Sequence, residues 1–165
     1  TTTPLQLAKA YAIISNGGNY IKPTLIKKKF DFNQKKIISD ETSQKINSIL
    51  RKIVLTGTAK LANVEGYEIG GKTGTANKTI KGIYTNKKIN TFASVFPTSN
   101  PKYVFTILFD EPQINKDYIY EYRDGSEFKL KGAPRNTAGW TSVEVAGKII
   151  DKIGPILATK YIKVN

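Results

Sequence analysis

Lys72, Thr73 and Thr75 are the residues of this chain whose types and spacing could do chemistry. They lie in Ile69-Gly70-Gly71-Lys72-Thr73-Gly74-Thr75-Ala76, one cation and two hydroxyls among small residues. In an extended strand, a period of two puts Thr73 and Thr75 on one face and Lys72 on the other. A ligand meets all three only by running alongside the backbone, which requires an edge strand. Gly74 lacks a Cβ and would let that ligand approach the main chain. A carboxylate here would gain a charge-assisted bond from Lys72 and hydroxyl bonds from Thr73 and Thr75. The plainer alternative is a surface lysine in a glycine-rich strand.

A second pattern overlaps the first. Gly66 to Thr73 also fits the phosphate loop G-x-x-x-x-G-K-S/T of nucleotide binders. That loop needs a buried strand leading into its first glycine and a helix starting at Lys-Thr. Residues 61–65 are short and end polar, and residues 74–79 lack a helical apolar period. Glu68 would also set a negative charge among the phosphates.

The bulk composition narrows the chemistry. A formal charge of +13 favours anionic surroundings such as nucleic acid, anionic lipid or a cell-wall polymer. The cations are lysines except Arg51, Arg123 and Arg135, a bias against nucleic-acid reading, which leans on arginine forks. A basic binding module for an anionic polymer is therefore an alternative to an enzyme. With no cysteine there is no disulfide framework or thiolate metal site, and with no histidine there is no Ser-His triad. Any acyl chemistry must use lysine as its base, and no metal or cofactor is expected.

The rest of the chain predicts elements able to hold the strand. Thr3-Pro4-Leu5-Gln6 is a capping box with proline at the first helical position, and Leu7, Ala8, Tyr11, Ala12 and Ile14 follow in helical spacing up to Asn16-Gly17-Gly18. A helix capped this close to Thr1 points to a chain cut from something longer. Residues 20–38 read as a short strand pair or loop, with Lys27-Lys28-Lys29 a solvated face. Ser39-Asp40-Glu41 caps a second helix with the stripe Ile46, Ile49, Leu50, Ile53 and Val54, and Gly57 ends it. A polar loop is expected over 77–90. Residues 91–96 and 103–109 form an antiparallel hairpin, its second strand apolar enough to be buried on both faces.

Tyr118, Tyr120 and Tyr122 alternate, as do Phe128 and Leu130 across Asp124-Gly125, predicting a smaller hairpin projecting from the body. Its aromatics either contact a partner or pack on one another. The last helix starts near Thr141 with the stripe Val143, Ala146, Ile150, Ile153 and Leu157, widened by Ile149 and Ile156. The order is helix, helix, three strands, helix: an α+β domain with an antiparallel sheet flanked by helices.

Lys72-Thr73-Gly74-Thr75 is the third of three motifs shared by penicillin-binding proteins and class A β-lactamases. Thr3 to Ala8, Ala10-Tyr11-Ala12 and Asn16-Gly17-Gly18 resemble the helix after the second motif in class B penicillin-binding proteins. Gly57-Thr58-Ala59, Asn100 to Val104 and Asp110-Glu111-Pro112 resemble the flanks of its active-site and following strands. Thr137-Ala138-Gly139-Trp140 is similar to the division-specific, FtsI-like branch in α-proteobacteria.

The resemblance implies that 1–165 is one partial domain of a peptidoglycan D,D-transpeptidase, acting on D-Ala-D-Ala stem peptides and acylated by β-lactams. By that resemblance Lys72 supports the serine network and attracts the carboxylate, and Thr73 binds it. Gly74 leaves room for the substrate backbone, and the Thr75 backbone N–H joins the oxyanion hole. It further implies divisome membrane proteins as partners, no nucleic acid, and a parent anchored at the periplasmic face of the inner membrane. The family's nucleophile motif S-x-x-K and its S-x-N motif precede this region. No Ser-x-Asn occurs, and the matches to S-x-x-K, Ser99 to Lys102 and Ser126 to Lys129, both follow Lys72 and read as turns. The chain alone is therefore expected to be catalytically silent. Lacking the family's upstream strands, it is also expected to self-associate.

Overall fold

The computed structural model describes residues 2–26 and 35–160. Helix α1 spans Pro4–Ser15. The Thr3 hydroxyl accepts from the Gln6 N–H at 3.2 Å and the Gln6 side chain accepts from the Thr3 N–H at 2.9 Å, so the capping box forms as the sequence predicts. Helix α2, Asp40–Thr56, starts at the Ser39 cap with Asp40 and Glu41 in its positive first turn.

The buried face of α2 differs from the predicted stripe. Ser43, Asn47, Leu50 and Val54 point inward, while Ile49 is 56% exposed. The cause is polar. Ser43 Oγ donates to the Ile14 carbonyl at 2.5 Å and Asn47 Nδ2 to the Ser15 carbonyl at 3.2 Å. These bonds satisfy carbonyls at the end of α1 that have no partner within the helix, and they turn α2 with them.

The sheet is antiparallel, in the order β1 (Gly70–Ile80), β2 (Ile83–Phe96), β3 (Tyr103–Asp110). Two expectations need correction. Residues 77–90 are no loop: β1 runs on to Ile80 and turns at Lys81-Gly82, both at positive φ, directly into β2. Polar side chains hid this arm because both its faces meet water and only the backbone ladder holds it. Lys78 braces it, with Nζ 2.9 Å from both Asp110 and Glu111 at the exit of β3. Lys87 and then Lys78 hold the Glu111 carboxyl below its ordinary range. The second correction concerns β3, which is an edge of this sheet and only half-buried, with Leu108 45% exposed.

The tyrosine hairpin forms as β4 (Ile119–Glu121) and β5 (Lys129–Lys131), but it does not project. Tyr120 is buried against Trp140, with ring centroids 5.1 Å apart, and against Tyr118 at 4.7 Å. Tyr122 meets Phe128 edge-on at 5.1 Å. Helix α3, Ser142–Thr159, receives the hairpin through Glu144. Arg123 donates to both Glu144 oxygens at 3.0 and 3.1 Å, and Tyr118 donates to Oε1 at 2.9 Å. Burial alone would lower the Arg123 pKa, but the Glu144 hydrogen bonds and charge outweigh it and raise it. A bidentate pair of this kind is shape-matched as well as charge-matched.

The core lies between the sheet, α2 and α3, around Phe92, Val95, Ile69, Val54, Val143 and Ile150. Lys27, Lys28 and Lys29 lie outside the described residues. Of the pairing expected over 20–38, the described residues show one bridge, Asn19 with Lys36.

Glu144 has a side chain only 4% exposed, so removing it strands a buried guanidinium. Glu144→Ala should cost about 3 kcal/mol, a Tm drop on the order of 10 °C at this size. Replacing Arg123 and Glu144 together by methionine should recover most of it. Calorimetry on the three variants checks both outcomes.

Candidate active site

Among the described residues β1 has one strand neighbour, β2, and no strand pairs with its other side. The edge that the residue spacing demands is therefore present. Gly70 pairs with Val95, Lys72 with Ala93, Thr73 with Phe92 and Thr75 with Asn90. Entry into β1 is fixed from α2, where Arg51 Nη1 donates to the Ile69 carbonyl at 2.8 Å and to Asn63 Oδ1 at 2.9 Å.

Thr73 and Thr75 line one cleft of about 380 Å³ with Thr58, Lys60, Arg135 and Trp140. Thr73 Oγ1 shares a hydrogen bond with Thr58 Oγ1 at 2.9 Å. Thr75 Oγ1 accepts from the Ala138 N–H at 3.0 Å, which leaves its own proton to donate elsewhere. Behind Thr75 the fully buried Asn90 donates to Asn136 Oδ1 at 3.1 Å and Thr141 Oγ1 at 2.9 Å. The strand and the opposite wall of the cleft are thus joined by short polar bonds.

Lys72 does not line this cleft. It lies on the alternate face, exposed, with Nζ donating to the Thr73 carbonyl at 2.7 Å. Gly74 shares that alternate face, and a Cβ built there would stand 2.5 Å from Thr91 Oγ1. Its lack of a side chain therefore makes room for Thr91 on β2. The structure brings Thr73 and Thr75 together and puts Lys72 and Gly74 on the other side of the same strand.

A phosphate loop is overturned by this geometry. It requires a helix beginning at Lys72-Thr73, where β1 runs extended through Ile80. The serines of the S-x-x-K matches also lie outside any helix, Ser99 between β2 and β3 and Ser126 in the bend before β5. The Ser99 hydroxyl donates to the Glu68 carboxylate, and Ser126 Oγ donates to Asp124 Oδ1 at 2.5 Å. Lys129 is engaged with Glu121 at 3.0 Å. Neither serine has a lysine partner in these bonds. Sequence reasoning missed Thr58 as Thr73's partner, Asn90 as the buried tether and Arg135 as a wall of the cleft. The buried asparagine carries no sequence signal, whereas Arg135 stood out as one of only three arginines.

Comparison with known proteins bears on this site. The penicillin binding protein transpeptidase domain family matches residues 1–127. The probable peptidoglycan D,D-transpeptidase FtsI of Caulobacter vibrioides is 31% identical over 171 residues, covering 96% of this chain and 26% of that protein. The peptidoglycan D,D-transpeptidase FtsI homolog of Mesostigma viride is 36% identical over 137 residues, 68% of this chain and 23% of that one. Among solved structures, the transpeptidase domain of Burkholderia pseudomallei penicillin-binding protein 3 superposes with a TM-score of 0.71 at 26% identity, over 94% of this chain and 43% of that one. Penicillin-binding protein 3 of Mycobacterium tuberculosis, complexed with ampicillin, gives 0.67 at 26% identity, over 93% and 35%. The chain spans about a quarter of the length of the curated relatives it matches.

The Gly74–Thr91 contact predicts a coupled pair. Gly74→Ala should destabilise by about 1–3 kcal/mol through overpacking, and Gly74→Ala with Thr91→Ala should lose less than the two single costs added together. Denaturant unfolding of the double-mutant cycle measures it; strict additivity would mean that the contact is absent.

Proposed function

We propose that this chain, which belongs to the penicillin-binding protein transpeptidase domain family, supplies the Lys-Thr-Gly edge strand of a division-type peptidoglycan D,D-transpeptidase. The observation that carries this reading is β1 itself: an open edge with Thr73 and Thr75 turned into one cleft and Lys72 on the alternate face.

The reaction is serine acyl transfer. A serine hydroxyl attacks the carbonyl between the two D-alanines, the peptide bond breaks, and the terminal D-alanine leaves with a proton on its amine. The amine of a second stem peptide then attacks the acyl-serine, forming the cross-link and returning the proton to the serine. This chain holds no S-x-N motif and no S-x-x-K on a helix, so the serine comes from outside it.

The residues of β1 take the remaining roles. A stem peptide laid along the open edge of β1 places its terminal carboxylate at the Thr73 and Thr75 hydroxyls. Lys72, a cation with no acid bonded to it among the described residues, lowers the cost of bringing that anion and a developing oxyanion to the strand. The Thr75 backbone N–H is the oxyanion donor, the type of group whose loss typically costs about 3–4 kcal/mol of barrier. Gly74, whose missing Cβ also makes room for Thr91, leaves space for the peptide backbone. A β-lactam, which mimics the donor, acylates the same serine, as the ampicillin complex of the structural relative suggests. The enzyme works at the periplasmic face of the inner membrane with the division machinery. No helix among the described residues is long and apolar enough to cross a membrane.

Fluorescent-penicillin labelling read by intact mass tests this. A full-length enzyme containing this chain should gain one adduct, while its Lys72→Ala variant, still folded, and the chain alone should gain none. An adduct on Ser99 or Ser126 of the isolated chain would refute the assignment.

The opposite edge of the sheet, β3, generates a separate expectation. Its backbone has no strand neighbour beyond β2 among the described residues, so the isolated chain should self-associate through it. Sedimentation over a hundredfold concentration range should show the weight-average mass rising. A monomer throughout would show that β3 needs no partner.

A further inference from the structure

We propose that Asn90 is a positioning residue of the transpeptidase. It holds the Ala138 N–H against Thr75, and so keeps the Thr75 hydroxyl turned as a donor toward the substrate carboxylate. This rests on the reading of Thr75 as a ligand of that carboxylate, and it adds to the site a residue that never touches the substrate.

Asn90 stands on the middle strand β2, paired with Thr75 on one side and Phe109 on the other. Directly opposite residues of an antiparallel pair put their side chains on the same face, so Asn90 and Thr75 are neighbours on the cleft side of the sheet. Asn90 is fully buried, and its amide reaches away from the strands: Nδ2 donates to Asn136 Oδ1 at 3.1 Å and to Thr141 Oγ1 at 2.9 Å. Its Oδ1 is buried with no hydrogen-bond partner among the described residues. Both bonds of the side chain therefore serve the facing segment, while its own acceptor goes unsatisfied. A leucine of similar shape would fill the space without burying an unpaired oxygen, so packing alone does not call for an amide here.

The two bonds bracket Ala138. Thr141 Oγ1 donates in turn to the Thr137 carbonyl at 3.1 Å, and the short helical turn Ala138–Trp140 lies between these residues. On its other flank the turn rests against Thr58, where a Cβ built on Gly139 would stand 2.7 Å from the carbonyl oxygen. The segment is thus held between a contact on one side and the Asn90 tether on the other, and in that position the Ala138 N–H meets Thr75 Oγ1 at 3.0 Å. A threonine hydroxyl has one proton and two lone pairs. With one lone pair taken by Ala138, the proton points elsewhere, and a carboxylate, which only accepts, is the group it suits. Without the tether the hydroxyl is free to change rotamer and give its proton to a backbone carbonyl instead.

A full-length enzyme containing this chain, titrated with fluorescent penicillin, gives the binding constant KS and the acylation rate constant k2 separately. The carboxylate is not a reacting group, so a hydroxyl that holds it contributes to KS and leaves k2 alone. Thr75→Val should raise KS on the order of tenfold, the range for a lost hydrogen bond to a charged group. Asn90→Leu should raise KS about fivefold at unchanged k2, and in the Thr75→Val background it should raise it no further. Its cost in Tm should be the same in both backgrounds. Thr141→Val removes one of the two acceptors with Asn90 in place. It should give a smaller rise of the same kind, and it carries the test if Asn90→Leu does not fold. An unchanged KS, a fall in k2, or effects that multiply in the double variant would overturn the inference and leave the carboxylate reading of Thr75 standing. A KS that ignores Thr75→Val, or an enzyme that penicillin does not acylate at all, would overturn both.

Discussion

The ladder between β1 and β2 is the constraint on which the site depends. Among the described residues β1 has no second strand to lean on, so Lys72, Thr73 and Thr75 take their positions from Ala93, Phe92 and Asn90 opposite them. A slip of one residue would exchange the faces of the strand, sending both threonines away from the cleft and Lys72 into it. The register is pinned at the proximal end by Phe92 and Val95, which are fully buried. At the distal end the tight turn at Lys81-Gly82 and the Lys78 bridge to Asp110 and Glu111 pin it again. The edge can stay open for a ligand because its register is set without using that edge.

The facing wall is held by different means. Residues 112–141 contain little regular structure, so their position rests on polar bonds and ring contacts. Asn90 ties Asn136 and Thr141 to β2, Ala138 reaches Thr75, and Asn136 reaches the Pro112 carbonyl at 2.7 Å. Behind them, Trp140 packs on Tyr120, and the Arg123–Glu144 pair locks the small hairpin to α3. Such a network is directional. It sets the cleft at one width, which apolar contacts alone would leave loose.

The division of labour follows from this layout. On the proposed reading the strand binds and polarises while the nucleophile comes from elsewhere, and the chain matches relatives several times its length. Helix α1 is apolar on most sides, yet Leu5 is 63% exposed and only Ser15 is buried.

The sequence by itself determined the parts governed by local rules. The capping box at Thr3, the Ser39 cap, the turn between β2 and β3 and the Lys-Thr-Gly-Thr spacing each depend on neighbours a few residues away. So did the choice against a phosphate loop, because a helix start announces itself in the residues that follow it. Other features depended on partners far along the chain, and only the tertiary structure decided them. The polar arm of β1 and β2 is held by backbone bonds that leave no apolar pattern. The turn of α2 toward Ser43 and Asn47 is set by the carbonyls ending α1, and the tyrosine hairpin lies flat because Glu144 and Trp140 meet it from α3 and the segment before it. Gly74 looked like room for a ligand, and the fold shows that its missing Cβ also accommodates Thr91. The cleft itself joins Thr58, Thr73, Thr75 and Arg135 from three separate stretches. Spacing shows which face of a strand a residue occupies, but what stands across from that face is fixed only when distant segments pack.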